Sequence, residues 1–274
     1  MSTYMKIFGL MALMTALVVG VAGYFGGTNA MLPAFLVAAA FNFGAYWFSD
    51  RMVLRMYRAQ IVDRRQAPQL FDTIDRLRRR ANLPMPRVAI APSEQPNAFA
   101  TGRDPAHAVV CVTRGMLQLA DANELEGVLG HELAHVQNRD MLTNTVMATM
   151  AGAITFLARL AFFFGDRDRN PWGAVAMMIV APIAAMLVQM AVSRQMEFRA
   201  DRAGASISGR PLQLASALRK LENYSRRIPM NVNPSAAHLC IVNPLRGNGI
   251  ARLFRTHPPT EERIARLEEL ARSS

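Results

Sequence analysis

The sequence predicts a mainly α chain with a small β-sheet, in which four transmembrane helices accompany one α+β domain of polar sequence. Three observations lead there. The 274 residues are 51% hydrophobic and 19% charged, with a mean hydropathy of +0.12. That excludes a disordered chain and is too apolar for an ordinary soluble enzyme. The apolar residues are concentrated: no residue from Ile7 to Ser49 is charged, and a second apolar region begins near Thr143. The remaining stretches are polar and carry helix and strand periodicities. Two cysteines, Cys111 and Cys240, exclude a disulfide scaffold.

A membrane helix needs about 20 apolar residues, so the first region can hold two. Gly26-Gly27-Thr28-Asn29 is a turn-like break, giving spans Ile7–Phe25 and Ala30–Phe48. A second span directly after the first argues for a retained anchor and against a cleaved signal peptide. Thr143–Gly165 contains Arg159, and Pro171–Val192 is interrupted by Pro182. With the polar turn Asp166–Asn170 between them they form a second hairpin, which spans the membrane or lies against it. The chain thus divides into an N-terminal hairpin at 1–50, a polar segment at 51–142, the second hairpin at 143–192 and a polar segment at 193–274. Each hairpin returns the chain to the side it left, so the polar segments can form one domain.

Charge gives the orientation. The net charge is +11, from 31 Lys+Arg against 20 Asp+Glu. Of the basic residues, 13 fall between Arg51 and Arg139 and 14 between Arg194 and Arg272, while the link inside the first hairpin has none. The positive-inside rule puts the N-terminus and both polar segments in the cytoplasm. The arginines are scattered and lack a recognition motif, which excludes nucleic acid as a partner. They fit attraction to an anionic lipid bilayer.

Within the polar segments, Ala67–Arg80 has Leu70, Ile74 and Leu77 at helical spacing, with Pro68 in the first turn and a solvated Arg78-Arg79-Arg80 end. Arg87–Ala91 and His107–Thr113 are short β-branched runs, read as strands. Asp121 and Glu124 have capping-box spacing. Leu125, Val128, Leu129, Leu133 and Val136 then make an apolar stripe, predicting a helix to about Arg139. Pro211–Tyr224 is another helix, a Pro- and Asn-rich loop runs to Gly249, and Thr260–Arg272 is an amphipathic helix whose Glu261, Glu262 and Arg263 form a solvated first turn.

The capped helix carries His131-Glu132-Leu133-Ala134-His135. Histidines at i and i+4 lie on one helix face, so both imidazoles can reach one zinc ion. Glu132 stands beside that ion without binding it, where a carboxylate can take a proton from an attacking water and pass it to a leaving amine. A catalytic zinc site needs a third protein ligand. The position six residues after His135 is Met141, which excludes a third histidine there. After the fourth span the carboxylates before the last helix are Glu197, Asp201 and Glu222. Glu197 and Asp201 are i and i+4. Either one binds metal while the other holds a ligand histidine, or both belong to a surface cluster balancing Arg194, Arg199 and Arg202.

The His131–His135 motif, Glu197 with Asp201, Asn97-Ala98-Phe99-Ala100-Thr101-Gly102 and His257-Pro258-Pro259-Thr260-Glu261-Glu262-Arg263 occur in one order beside two hairpins. Together they resemble the HtpX family of bacterial membrane zinc metalloproteases, relatives of the CAAX prenyl protease, over nearly the whole chain. The resemblance implies a zincin-like, gluzincin-type protease domain. It implies one zinc ion per chain on His131, His135 and Glu197, Glu132 as catalytic base and acid, and Asp201 supporting a ligand. Asn97, Ala98, Phe99 and Ala100 resemble the family's substrate-facing strand, and Arg263 a contact near the site. His257 is either an oxyanion-stabilising donor or a cap before the last helix. The implied activity is endopeptidase cleavage of damaged or misfolded membrane proteins at the inner membrane, in stress-linked quality control. Two competing readings are a dedicated CAAX-type processing protease, for which four spans are few, and an idle membrane scaffold with a structural zinc. The latter would need a closed set of four ligands.

Overall fold

A computed structural model describes residues 3–143, 194–228, 239–242 and 258–273. The chain divides into two compact units, Met1–Phe48 with Leu142–Ala191 and Ser49–Met141 with Val192–Ser274. The described part is mostly helical with one four-stranded sheet. The second predicted hairpin falls on residues 144–193, outside the described residues, as does most of the Pro- and Asn-rich loop.

In the first unit, α1 (Thr3–Gly26) meets α2 (Thr28–Met56), whose residues from Ser49 on belong to the second unit, at Gly27, whose φ of +67° suits a glycine turn. Asn42 reaches back from α2 to Thr15 Oγ1 at 2.9 Å and to the Met11 carbonyl at 3.3 Å. Large apolar side chains point outward, among them Phe8, Leu32, Leu36 and Phe41. Among the described residues no single helix is long and apolar enough to cross a membrane. The pair Thr28–Gly44 and Tyr46–Met56, bent by 60°, passes by length and composition.

In the second unit the sheet order is β1-β2-β4-β3. The strands are β1 (Gln60–Val62), β2 (Arg87–Ala91), β3 (Ala98–Thr101) and β4 (Val109–Thr113). β2 and β4 are parallel, with Val88 opposite Val110, while β1 and β3 run antiparallel to their neighbours. β4 is buried along its whole length because apolar layers cover both faces. Val88, Ala98, Ala100, Val110 and Val112 belong to the main core. Ala89, Ala91, Phe99, Val109 and Cys111 meet Val53, Leu54 and Tyr57, with the Phe99 and Tyr57 ring centroids 4.5 Å apart. This second layer explains why α2 runs to Met56, past the end of its apolar stretch at Phe48: Val53 has a core to enter.

β4 begins at Val109, two residues later than the periodicity suggests. Pro105–His107 form a 3-10 turn capped by Asp104, whose carboxylate accepts from the His107 amide at 2.9 Å. α3 (Pro68–Arg80) buries Leu70, Ile74 and Leu77 as its spacing predicts. Its basic end is engaged: Arg78 and Arg79 pair with Asp75, and Arg80 donates to the Ile207 and Ser208 carbonyls. β1 and the short helix α4 (Arg114–Leu119) are elements the periodicity does not announce, being three and six residues long.

α5 (Ala122–Asn138) has the predicted capping box, with Asp121 accepting from Asn123 and Glu124 and Glu124 accepting from the Asp121 amide. Two buried carboxylates fix α5 laterally. Glu124 takes hydrogen bonds from Ser216 and Lys220 of α7 (Pro211–Arg227), and Glu126 takes one each from Arg76 and Arg210. Buried acidic groups persist only when paired in this way. α8 (Thr260–Ser273) closes the unit against α7 through Leu267 and the Thr260–Glu222 hydrogen bond. Glu222, a candidate ligand by sequence, is thereby committed to that junction.

Candidate metal centre

α5 and the helical residues 194–208, α6, approach so closely that only glycine fits at their crossing. A Cβ on Gly204 would lie 2.6 Å from the His131 Cα and 2.7 Å from its nitrogen, and one on Gly130 would lie 2.8 Å from the Gly204 carbonyl oxygen. Replacing Gly204 by Ala must therefore push two backbones apart. The expected result is a loss of about 1–3 kcal/mol in stability together with weaker metal binding. Thermal unfolding and metal content check it, and normal values for both would contradict this role for the close crossing.

The approach brings His131 and His135 of α5 against Glu197 of α6, all three buried. The two Nε2 atoms are 3.1 Å apart. Glu197 Oε2 lies 3.6 Å from His131 Nε2, and Oε1 lies 3.5 Å from His135 Nε2. One donor atom from each residue falls within 4.8 Å of the others. Asp201, one turn further along α6, places Oδ1 2.9 Å from His131 Nδ1. Asp140 places Oδ2 3.0 Å from His135 Nδ1.

These contacts fix the chemistry of the cluster. A carboxylate only accepts, so His135 Nδ1 donates to Asp140 and its Nε2 is turned toward Glu197 and His131. Arg263 Nη2, a donor only, lies 3.4 Å from His131 Nε2. Two imidazole nitrogens and one carboxylate thus converge on one point. The donors present therefore fit a metal ion, and two nitrogens with one oxygen are the set zinc takes in catalytic sites.

Glu132 is buried beside the histidines, with the Ala100 backbone amide of β3 near its carboxylate. Burial pushes its pKa up, against the pull of His131 and His135. Among the described residues β3 is an edge strand of the sheet, and the side chains of Ala98, Phe99 and Ala100 are buried. Asn97 is buried and fully used. Its amide donates to the Leu239 carbonyl at 3.1 Å and its oxygen accepts from the Ile241 amide at 3.1 Å. It pins residues 239–242 as a neighbouring strand would.

Arg263 departs from the solvated first turn that periodicity suggests: it is 1% exposed. Its Nε and Nη2 grip both oxygens of Asp201 at 2.8 and 2.7 Å, and Nη1 lies 3.0 Å from Glu197 Oε2 and 2.9 Å from the Ile241 carbonyl. The guanidinium thus bridges the two carboxylates. Arg263 and His131 hold the Asp201 pKa down against its burial. His257 lies outside the described residues. Asp140 escaped sequence reasoning. It stands five positions after His135, off any helical face, and meets that ring only because Arg139 takes a left-handed conformation (φ 61°) that ends α5 and turns the chain back.

Residues 64–271 match the model of Peptidase family M48. The chain is 58% identical over 264 residues to a protein named Protease HtpX homolog from Salinibacter ruber, covering 96% of each chain. It is 55% identical over 274 residues to the Protease HtpX homolog of Gemmatimonas aurantiaca, covering 97% of this chain and 98% of that one. The fold resembles the crystal structure of S. mikatae Ste24p with a TM-score of 0.56 at 17% identity, over 96% of this chain and 63% of that longer one. Taken with the buried histidine–carboxylate cluster, these matches establish that the chain belongs to peptidase family M48 and is a metalloprotease.

Proposed function

We propose that this chain is a zinc-dependent endopeptidase of the bacterial inner membrane, multi-pass, with its catalytic domain in the cytoplasm, acting on damaged or misfolded membrane proteins in quality control and stress response. The observation that carries the catalytic part is a buried cluster of three acceptors with Glu132 next to it and an edge strand alongside.

His131, His135 and Glu197 would hold one zinc ion, which when bound supplies a Lewis acid and an acidified water with a pKa of about 7. Glu132 takes the proton of the attacking water and hands it to the leaving amine. Its burial and raised pKa suit a group that must hold and release a proton. The edge strand β3 at Ala98–Ala100 offers main-chain groups to an extended peptide. Asn97 steadies the start of that strand, and of the two roles open to His257 we assign it that of a donor to the developing oxyanion. Arg263 holds Glu197 and Asp201 in place rather than touching substrate.

Three protein donors among the described residues favour an open catalytic site over the closed set of four that an idle structural zinc would use. For the membrane, the support is the uncharged stretch Ile7–Ser49 and the outward Phe8, Leu32 and Phe41, at 58–66% exposure. Such a surface is not left to water. Cleavage of an unfolded membrane protein in vesicles should stop on metal chelation and return with zinc alone. Cleavage that survives full metal removal would reject the mechanism.

A further inference from the structure

Each ligand histidine is backed by an aspartate, and each aspartate by an arginine. Behind His131 stand Asp201 and the buried Arg263. Behind His135 stand Asp140 and Arg199. We propose that Asp140 and Arg199 are a second positioning pair for the metal site, with Arg199 acting through Asp140 to fix the His135 ring and its tautomer.

The geometry divides the Asp140 carboxylate between two partners. Oδ2 accepts from His135 Nδ1 at 3.0 Å, and Oδ1 takes a charge-assisted hydrogen bond from Arg199 Nη2. The Asp140 side chain is 2% exposed, whereas that of Arg199 is 55% exposed. A carboxylate this deep, bonded to a single ring nitrogen, would be free to swing about that bond. Arg199 removes the freedom and compensates the charge. Arg199 lies two residues after Glu197 on α6, and Asp140 directly follows the residue that ends α5. The pair therefore ties the two ligand-bearing helices together on the side of His135, as Asp201 and Arg263 do on the side of His131. An outer partner of this kind orients a ligand and raises its basicity, and its loss costs about 10–100-fold in metal affinity.

The inference rests on the proposed zinc site, and one experiment separates the two. Zinc affinity is measured by chelator competition for the full-length wild type, Asp140→Ala, Arg199→Ala and the double variant, with thermal unfolding of each metal-free protein alongside. Asp140→Ala should weaken zinc binding about 10–100-fold. Arg199→Ala should weaken it by a smaller factor, and that factor should vanish in the Asp140→Ala background, because Arg199 then has nothing to hold. Zinc affinity unchanged by Asp140→Ala, or two losses that multiply in the double variant, would overturn the pair. A shift in metal-free stability without a change in affinity would also overturn it. If Asp140→Ala does not fold, Arg199→Ala with its exposed side chain decides: lowered affinity supports the pair and unaltered affinity rejects it. A wild type that binds no zinc would instead reject the underlying site.

Discussion

Glu197→Ala is expected to empty the metal site while the protein stays folded. Glu197 is one of three donors, and the two histidines left behind share one helix face with no further described carboxylate oxygen in the cluster. The loss should exceed the roughly 10–100-fold that removal of an outer partner costs. The fold should survive, because Arg263 keeps its two-point grip on Asp201 and its bond to the Ile241 carbonyl. Metal content after dialysis and circular dichroism read the two halves of this expectation. Full zinc occupancy in the variant would remove Glu197 from the ligand set.

Glu132→Gln is expected to do the opposite, keeping the metal and losing the chemistry. Glutamine has the shape of glutamate and keeps an accepting oxygen in the same place. It cannot take a proton from water. General acid–base catalysis contributes about 100- to 10,000-fold, and under the proposed mechanism one carboxylate serves both proton transfers, so the loss in kcat should sit toward the upper end. KM should change little, because the edge of β3 that would receive the peptide is untouched.

Much of the helical frame was legible because its signals are local. The capping box at Asp121 and Glu124, the proline at the first turn of α3, and the stripe of Leu70, Ile74 and Leu77 each act within one or two turns of chain. The cluster was half legible for the same reason. His131 and His135 share a helix face by spacing alone, whereas the joining of Glu197 depends on a crossing at Gly130 and Gly204 that no periodicity displays. Arg263 illustrates the limit. In a turn reading Thr-Glu-Glu-Arg it looks like surface, yet two buried carboxylates and the Ile241 carbonyl supply partners that sequence cannot show. Asp140 was hidden by a backbone reversal at Arg139, a non-glycine residue in a conformation that sequence predicts poorly.

The most direct measurement takes one preparation of Glu132→Gln in vesicles and determines both zinc per chain and turnover of an unfolded membrane protein. One zinc per chain with cleavage reduced at least about 100-fold is the predicted outcome. Wild-type cleavage by that variant would contradict the role of Glu132, and an empty site would mean that Glu132 holds the metal rather than the proton.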